Sequence, residues 1–154
     1  MPDLAVHVCA GLLGSKFLRD PAGRALFVAG NCLPDLASKT MDLGFVSPPA
    51  FSEATHTPFG ILCLAYAAAM LFEEGWRQRA FLLLAAGSLL HLLMDAAKDC
   101  LGCGVISWGF PLSLHRWEFG LYPVEGSPWI LLPGALAAVL LVEGLGALRR
   151  RGSG

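Results

Sequence analysis

"SLLHLLMD", residues 88–95, decides how this chain is read. It lies in the most apolar neighbourhood of the sequence, where only His91 and Asp95 are ionisable between Ala80 and Ala97. No strand-like alternation of useful length occurs here or elsewhere, so the run is helical. At i and i+4 the two polar residues share one helical face. In a soluble core they would be a hydrogen-bonded pair; in a bilayer a charge is costly unless it is paired or bound to an ion.

Composition favours the bilayer. The 154 residues are 55% hydrophobic and 15% charged, with a mean hydropathy of +0.60. Ordinary soluble domains carry about 25% charged residues. Eighteen glycines suit helices that pack closely in lipid. A net charge of −1 gives no basic footprint for nucleic acid. The expected architecture is a single all-α, membrane-embedded helical domain over residues 1–151, with 152–154 a tail outside it. The N-terminus has an acid and no base before its apolar run, so no cleavable signal is expected, and "VHVC" is a poor lipoprotein box.

Outward from residues 88–95, three long apolar runs stand out: Thr57–Phe72, Ala80–Ala97 and Pro128–Leu148. Each approaches the roughly 20 residues a spanning helix needs, the first being short. Two shorter runs, Leu4–Gly14 and Gly23–Leu36, precede them, joined through a turn at Asp20-Pro21. The sequence thus predicts a bundle of about five helices, two short N-terminal ones and three longer spans. If each helix reverses direction, Lys16, Arg19, Arg24, Arg77, Arg79 and Arg149–Arg151 fall on one side. Lys39, Lys98 and Arg116 fall on the other. The positive-inside rule then places the C-terminus in the cytoplasm and the long connections Ala37–Thr55 and Lys98–Ser127 outside. Trp108, Trp117, Tyr122 and Trp129 would form an outer aromatic belt, and Trp76 an inner one.

The same topology gathers His7, Asp35, His56, His91 and Asp95 on the outer layer, drawn from four helices. Asp35 is expected to end the second helix and His56 to open the third, where the helix dipole disfavours its cationic form. Gly87, one turn before His91, and Gly11 and Gly14 below His7 would let neighbouring helices approach. A divalent metal would compensate two carboxylates and use neutral imidazoles. Mixed His/Asp ligands suit zinc, with manganese or iron as further candidates, better than calcium or magnesium. Against this, His7 alone would ordinarily be a hydrogen-bonded core histidine. His91 with Asp95 would lock helix packing, and Asp35 after Pro34 would be a turn residue or cap.

Five motifs resemble a known family. "GNCLPDLASKT" resembles the "PD-hydrophobic-D" segment of the bacterial inner-membrane metal-dependent hydrolases, one group of which is described as LexA-binding and inner-membrane-associated. "EATHTPFG" resembles that family's "HRG-x-THS" motif, and "GSLLHLLMDAAKD" its "G-x-x-x-H-x-x-x-D" motif. "WGFPLSLHRWEFGLYP" is similar to its tryptophan-proline segment, and His7 matches its early histidine. The resemblance covers about residues 5–125. It implies a multi-span inner-membrane protein with a metal-dependent hydrolase site, zinc first among metals, and His7, Asp35, His56, His91 and Asp95 as ligands. The His-x-x-x-Asp helix is also loosely similar to metal-binding helices of zinc-dependent phospholipases C. The sequence departs from the pattern at Ala37, where the second acid would stand, and at Phe51 and Ser52, in place of His and Arg. Those departures put a second metal, or an arginine clamp on a phosphate, in doubt; Lys39 or Arg116 are the cations available instead.

Other features carry less. His115 reads as a sixth ligand, a proton shuttle or a surface residue, with Glu118 and Asp99 nearby in sequence. Glu53 would cap the third helix or act as a base. Cys100 and Cys103 form a lone C-x-x-C, a disulfide on an oxidising side. Cys9, Cys32 and Cys63 read as small buried hydrophobes. The function expected is hydrolysis of a lipid or other amphipathic ester or phosphoester at the outer membrane boundary, with Asp95 or Asp35 taking the proton from a metal-activated water. The alternative is a scaffold or partner-binding membrane protein whose cluster is a structural metal or polar packing site. A transporter would need polar residues in the cytoplasmic halves of the last three helices, which have almost none.

Overall fold

Five α-helices account for most of the residues described, which are 3–44, 53–99, 105–123 and 127–152 of a computed structural model. They are α1 (Asp3–Gly14), α2 (Pro21–Gly44), α3 (Pro58–Ala69), α4 (Glu74–Ala96) and α5 (Ser127–Gly152). A 3-10 turn (Ser15–Phe17) follows α1, and a short helical turn at 53–55 precedes α3. The all-α class is as the sequence indicates. The lengths are distributed differently.

The second apolar run does not stop at Leu36. Helix α2 has 24 residues, passes through Pro34 and continues to Gly44. Asp35 is therefore inside the helix, not at its end. Its polar last turns are held locally: Ser38 Oγ donates to Asp35 O at 3.0 Å, and Thr40 Oγ1 to Leu36 O at 2.9 Å. These residues carry no apolar signal, so the pattern of hydropathy ended where the helix does not. The opposite holds for α3, which has 12 residues. At 1.5 Å per residue that is roughly 18 Å, well short of a bilayer core. Thr57 is its N-cap, accepting from Gly60 N at 3.0 Å with Pro58 at the first helical position. His56 thus sits one residue outside the helix and not in its first turn.

Asp20 caps α2 in the same way. Its carboxylate accepts from Gly23 N at 2.5 Å and pairs with Arg79 at the start of α4. The Gly23 amide, and next to it the Arg79 guanidinium, hold the Asp20 carboxyl below its ordinary range. A lowered carboxylate favours the fold above its ordinary pKa, and that contribution fades as pH falls through the lowered value.

Helix α4 is the centre of the molecule, packed along α2 and α3, while α1 lies against α2 and α5. Glycines set the α2–α4 crossing. A β-carbon on Gly30 would run into the Leu84 backbone, and one on Gly87 into Phe27 O and Asn31 N. Gly87 therefore performs the close approach expected of it, with Gly30 as its counterpart. At Gly11 and Gly14 the added carbon would lie 3.2 Å from Asn31 Nδ2 and 3.1 Å from the Phe27 ring.

The connection after α4 folds back onto its end. Phe119 N donates to Ala96 O at 2.5 Å and Leu121 N to Ala97 O at 2.8 Å, satisfying carbonyls that the helix leaves open. Two two-residue pairings hold the connection: Lys98–Asp99 parallel to Tyr122–Pro123, and Ile106–Ser107 antiparallel to Arg116–Trp117. Ile106 joins Ile61, Leu92 and Ala96 in a buried cluster. Trp108 stacks on Trp117 at 5.0 Å, with Phe119 edge-on to Trp117. Trp76, under Arg79, lies at the other end of α4. Twenty residues at 1.5 Å separate Trp76 from Ala96, roughly 30 Å, the thickness of a bilayer core.

Among the described residues two helices are long and apolar enough to cross a membrane: α4, and Leu131–Leu148 of α5, none of whose residues is fully buried within the protein. Cys9 is buried as expected, but Cys32 is half-buried and Cys63 exposed. Cys100 and Cys103, and Phe51 and Ser52, lie outside the described residues.

Because backbone meets backbone at Gly30 and Gly87, neither side can yield as a flexible side chain would. Gly30→Ala or Gly87→Ala should each destabilise the detergent-solubilised protein by roughly 1–3 kcal/mol or block folding, whereas Gly75→Ala, with open space around it, should be tolerated. Thermal unfolding of the three variants checks this.

Candidate metal centre

Pro34 creates the site's first constraint. A proline has no N–H, so the carbonyl four residues earlier, Gly30 O, loses its helical partner. Ser88 Oγ on α4 donates to that oxygen at 2.8 Å. One residue on, Asn31 O accepts from His91 Nδ1 at 2.8 Å. The close glycine crossing is what brings α4 side chains within reach of α2 carbonyls.

The second bond fixes the chemistry of His91. A carbonyl oxygen only accepts, so Nδ1 carries a proton, and in the neutral ring Nε2 is left with its lone pair. Metal-binding histidines are oriented in the same way, by a carbonyl on the other ring nitrogen. His91 is fully buried. Its Nε2 lies 3.1 Å from Asp95 Oδ2 yet makes no aligned hydrogen bond, and His7 Nδ1 is likewise buried without a partner. A lone pair facing a carboxylate at this distance repels it unless a cation or a second ring proton lies between them.

The other candidates close around this pair. His7 Nε2 is 3.3 Å from Asp95 Oδ1, and the His7 ring stacks on His91 with centroids 3.9 Å apart. His56 Nε2 is 3.5 Å from Asp35 Oδ1, and its ring centroid is 5.3 Å from that of His91. His7, Asp35 and His91 each offer a ligand atom within 4.8 Å of the others, and so do His56, His91 and Asp95. The two groups share His91. Ligands of a tetrahedral zinc, at about 2.0–2.2 Å from the metal, stand roughly 3.4 Å apart, so these residues need only small adjustments to hold one. All five sequence candidates meet, two of them, His91 and Asp95, from the last two turns of α4.

Several partners were not foreseen. Asn31, fully buried, gives its carbonyl to His91 while its side-chain amide donates to His7 O. It therefore holds candidate ligands on both α1 and α4. A polar residue three before Pro34 in an otherwise apolar run is the signal that could have found it. Thr55 Oγ1 is 3.1 Å from His56 Nδ1. Lys98 Nζ is 2.5 Å from Asp95 Oδ1, and Lys39 Nζ is 3.8 Å from Asp35 Oδ2. Of the two cations considered for the site, Lys39 reaches it, whereas Arg116 pairs with Glu53 at the surface. Glu53 caps nothing in α3, and its backbone carbonyl accepts from His56 N at 3.1 Å. His115 is exposed, its amide on Ser113 Oγ at 3.2 Å.

The centre is open on one side. Side-chain exposure is 0–8% at His91, His7 and Asp95 but 12% at Asp35 and 19% at His56. An apolar cleft of about 200 Å³ is lined by Thr55, which precedes His56 in the chain, and by Phe59, Gly60, Cys63, Leu64 and Phe110.

The chain belongs to the YdjM inner membrane protein family. That family's model matches residues 4–153. The family places the chain in the bacterial inner membrane, in accord with two helices of spanning length and with the resemblance read from the motifs. No curated protein and no solved structure matches the chain.

If Asn31 O orients His91, the ring must be the Nδ1–H tautomer, and ¹⁵N-histidine NMR of the metal-free protein should show it. An Nε2–H ring would contradict the arrangement. Ser88→Ala, which strands the buried Gly30 carbonyl, should cost about 1–3 kcal/mol in thermal unfolding.

Proposed function

We propose that this family member is a membrane-embedded, metal-dependent hydrolase whose ion is held by His7, Asp35, His56, His91 and Asp95, with zinc the best-suited metal and manganese or iron next. The observation that carries the reading is the buried His91 Nε2, aimed at a carboxylate with its proton committed to the opposite nitrogen. Stacked rings at 3.9 Å oppose a second imidazolium beside the first, so one shared ion is the economical way to bind this cluster together. A divalent metal bound here would acidify a water and polarise the scissile group.

The chain's own residues divide the remaining work. His91, His7 and Asp95 form the closed wall, held from behind by Asn31 and Lys98. Asp35 and His56 form the accessible edge. Asp35 is therefore the better placed of the two aspartates to take the proton of the attacking water. The proton then passes to the leaving oxygen as its bond breaks. The apolar cleft beside His56 would receive the hydrocarbon part of a lipid or other amphipathic ester or phosphoester. In this reading the membrane surface near Trp108 and Trp117, which has the fewer basic residues, is the outer one, and the arginine-rich C-terminus is cytoplasmic.

One observation favours the alternative, a scaffold or partner-binding protein with a polar packing site. Lys39 and Lys98 already balance Asp35 and Asp95, so the cluster is neutral without an ion. Elemental mass spectrometry of the detergent-purified protein separates the two. Near-stoichiometric zinc, manganese or iron, lost in His91→Ala and in Asp95→Ala, is the expected result. No metal after reloading, with both variants merely less stable, would replace the hydrolase reading by the packing site.

A further inference from the structure

The turn between Ile106 and Trp117 is apolar where a water-facing loop would be polar. Val105–Leu114, "VISWGFPLSL", contains no ionisable residue, and His115, Arg116 and Glu118 follow it at once. Leu112 is 97% exposed and Leu114 74% exposed. Neighbouring exposed apolar residues of this kind mark a surface that meets lipid or another protein.

Position decides between the two. Helix α3 buries Ile61, Ala65 and Ala69 and turns Phe59, Leu62 and Tyr66 outward, each about half exposed. In an inner membrane protein that apolar stripe faces hydrocarbon. Phe110 lies against Phe59 of the stripe, with ring centroids 6.4 Å apart. The turn therefore hangs over the lipid side of α3 and not over the centre of the bundle. Its level is that of the last turn of α4, because Ile106 packs with Leu92 and Ala96, and Phe119 N bonds to Ala96 O. Trp108 stacks on Trp117 at the same level, as tryptophans gather where hydrocarbon meets headgroups.

The backbone of the turn is also suited to lipid. Phe110 N donates to Ser107 O at 3.2 Å, and Leu112 N and Ser113 N both donate to Gly109 O at 2.9 Å. Pro111 has no N–H, so from Phe110 to Ser113 every backbone donor is satisfied inside the turn. The Trp108 indole donates to Trp117 O at 3.2 Å. A turn whose donors need no water enters an apolar medium without stranding them.

We propose that Val105–Leu114 is a membrane-inserted lip, with Leu112 and Leu114 in the phospholipid hydrocarbon of the adjoining leaflet and His115 at the headgroups. The insertion is argued from membrane residence and does not depend on a metal. Its consequence for substrate rests on the hydrolase reading above. Phe110 lines the apolar cleft together with Phe59 and Cys63, which are one turn apart on α3 and both exposed. The cleft thus opens sideways into the bilayer, and an amphipathic substrate reaches it from the leaflet instead of from water.

The test is tryptophan quenching in the full chain, reconstituted in phosphatidylcholine–phosphatidylglycerol nanodiscs. Leu112→Trp, Leu114→Trp and His115→Trp are each compared with the wild type, so that the added emission is read. Emission from positions 112 and 114 should be quenched severalfold more by phospholipids brominated along the acyl chain than by iodide in the buffer. Position 115 should show the reverse order. Iodide quenching at 112 and 114 equal to that at 115 would place the turn in water and overturn the lip. Quenching there by neither agent would mean that protein covers the leucines, and would overturn it too. Hydroxyl-radical footprinting of the wild type in the same nanodiscs decides where a variant does not fold. Leu112 and Leu114 should stay unmodified while His115 is oxidised, and oxidation of both leucines would refute insertion. None of these readouts involves metal, so loss of the hydrolase reading would leave the lip standing, and loss of the lip would leave the metal centre untouched.

Discussion

The structure depends on one missing hydrogen-bond donor. Pro34 removes an N–H from the middle of α2, and the carbonyl thereby released is taken up by Ser88 of α4. That exchange requires two helices to approach closer than side chains normally permit, which Gly30 and Gly87 allow. In lipid the alternative, an unsatisfied carbonyl, has no water to turn to. The proline that would ordinarily break a helix here specifies which neighbour must lie against it, and in what register.

Register is what turns a packing contact into a site. With Ser88 on Gly30, His91 one turn later falls on Asn31 O and Asp95 a turn beyond that faces His7. The crossing therefore fixes the tautomer of His91, the direction of its free nitrogen and the carboxylate opposite, with no loop involved. Asn31 extends the same order to α1 through the His7 carbonyl. A centre built on helices and braced by backbone carbonyls holds its geometry more tightly than one assembled on loops. Only His56, outside the first turn of α3, is supplied by a connection, and it stands on the accessible edge.

Electrostatics follows from placing such a centre in an apolar bundle. Each aspartate carries a lysine from its own neighbourhood, so charge is balanced locally before anything binds. The apolar cleft lined by Thr55, next to His56 in the chain, and the tryptophan pair near the end of α4 lie at the same end of the bundle as this cluster.

The sequence by itself determined the helical class, the membrane-compatible composition and the identity of the five polar residues that meet. Each follows from short-range facts: an apolar run, an i,i+4 spacing, and polar groups too costly to scatter through lipid. It misjudged Asp35 as a terminus, because hydropathy reports burial and not backbone continuity, while His56 does stand at the opening of α3, one residue before its N-cap. The polar turns after Leu36 are helical without being apolar. Only the tertiary structure decided that Asn31 bonds to both the His7 carbonyl and the His91 ring, that Lys39 reaches Asp35 while Arg116 is held by Glu53, and that Lys98 pairs with Asp95. Those roles depend on distances between residues of different helices, which the α2–α4 crossing sets and no local pattern encodes.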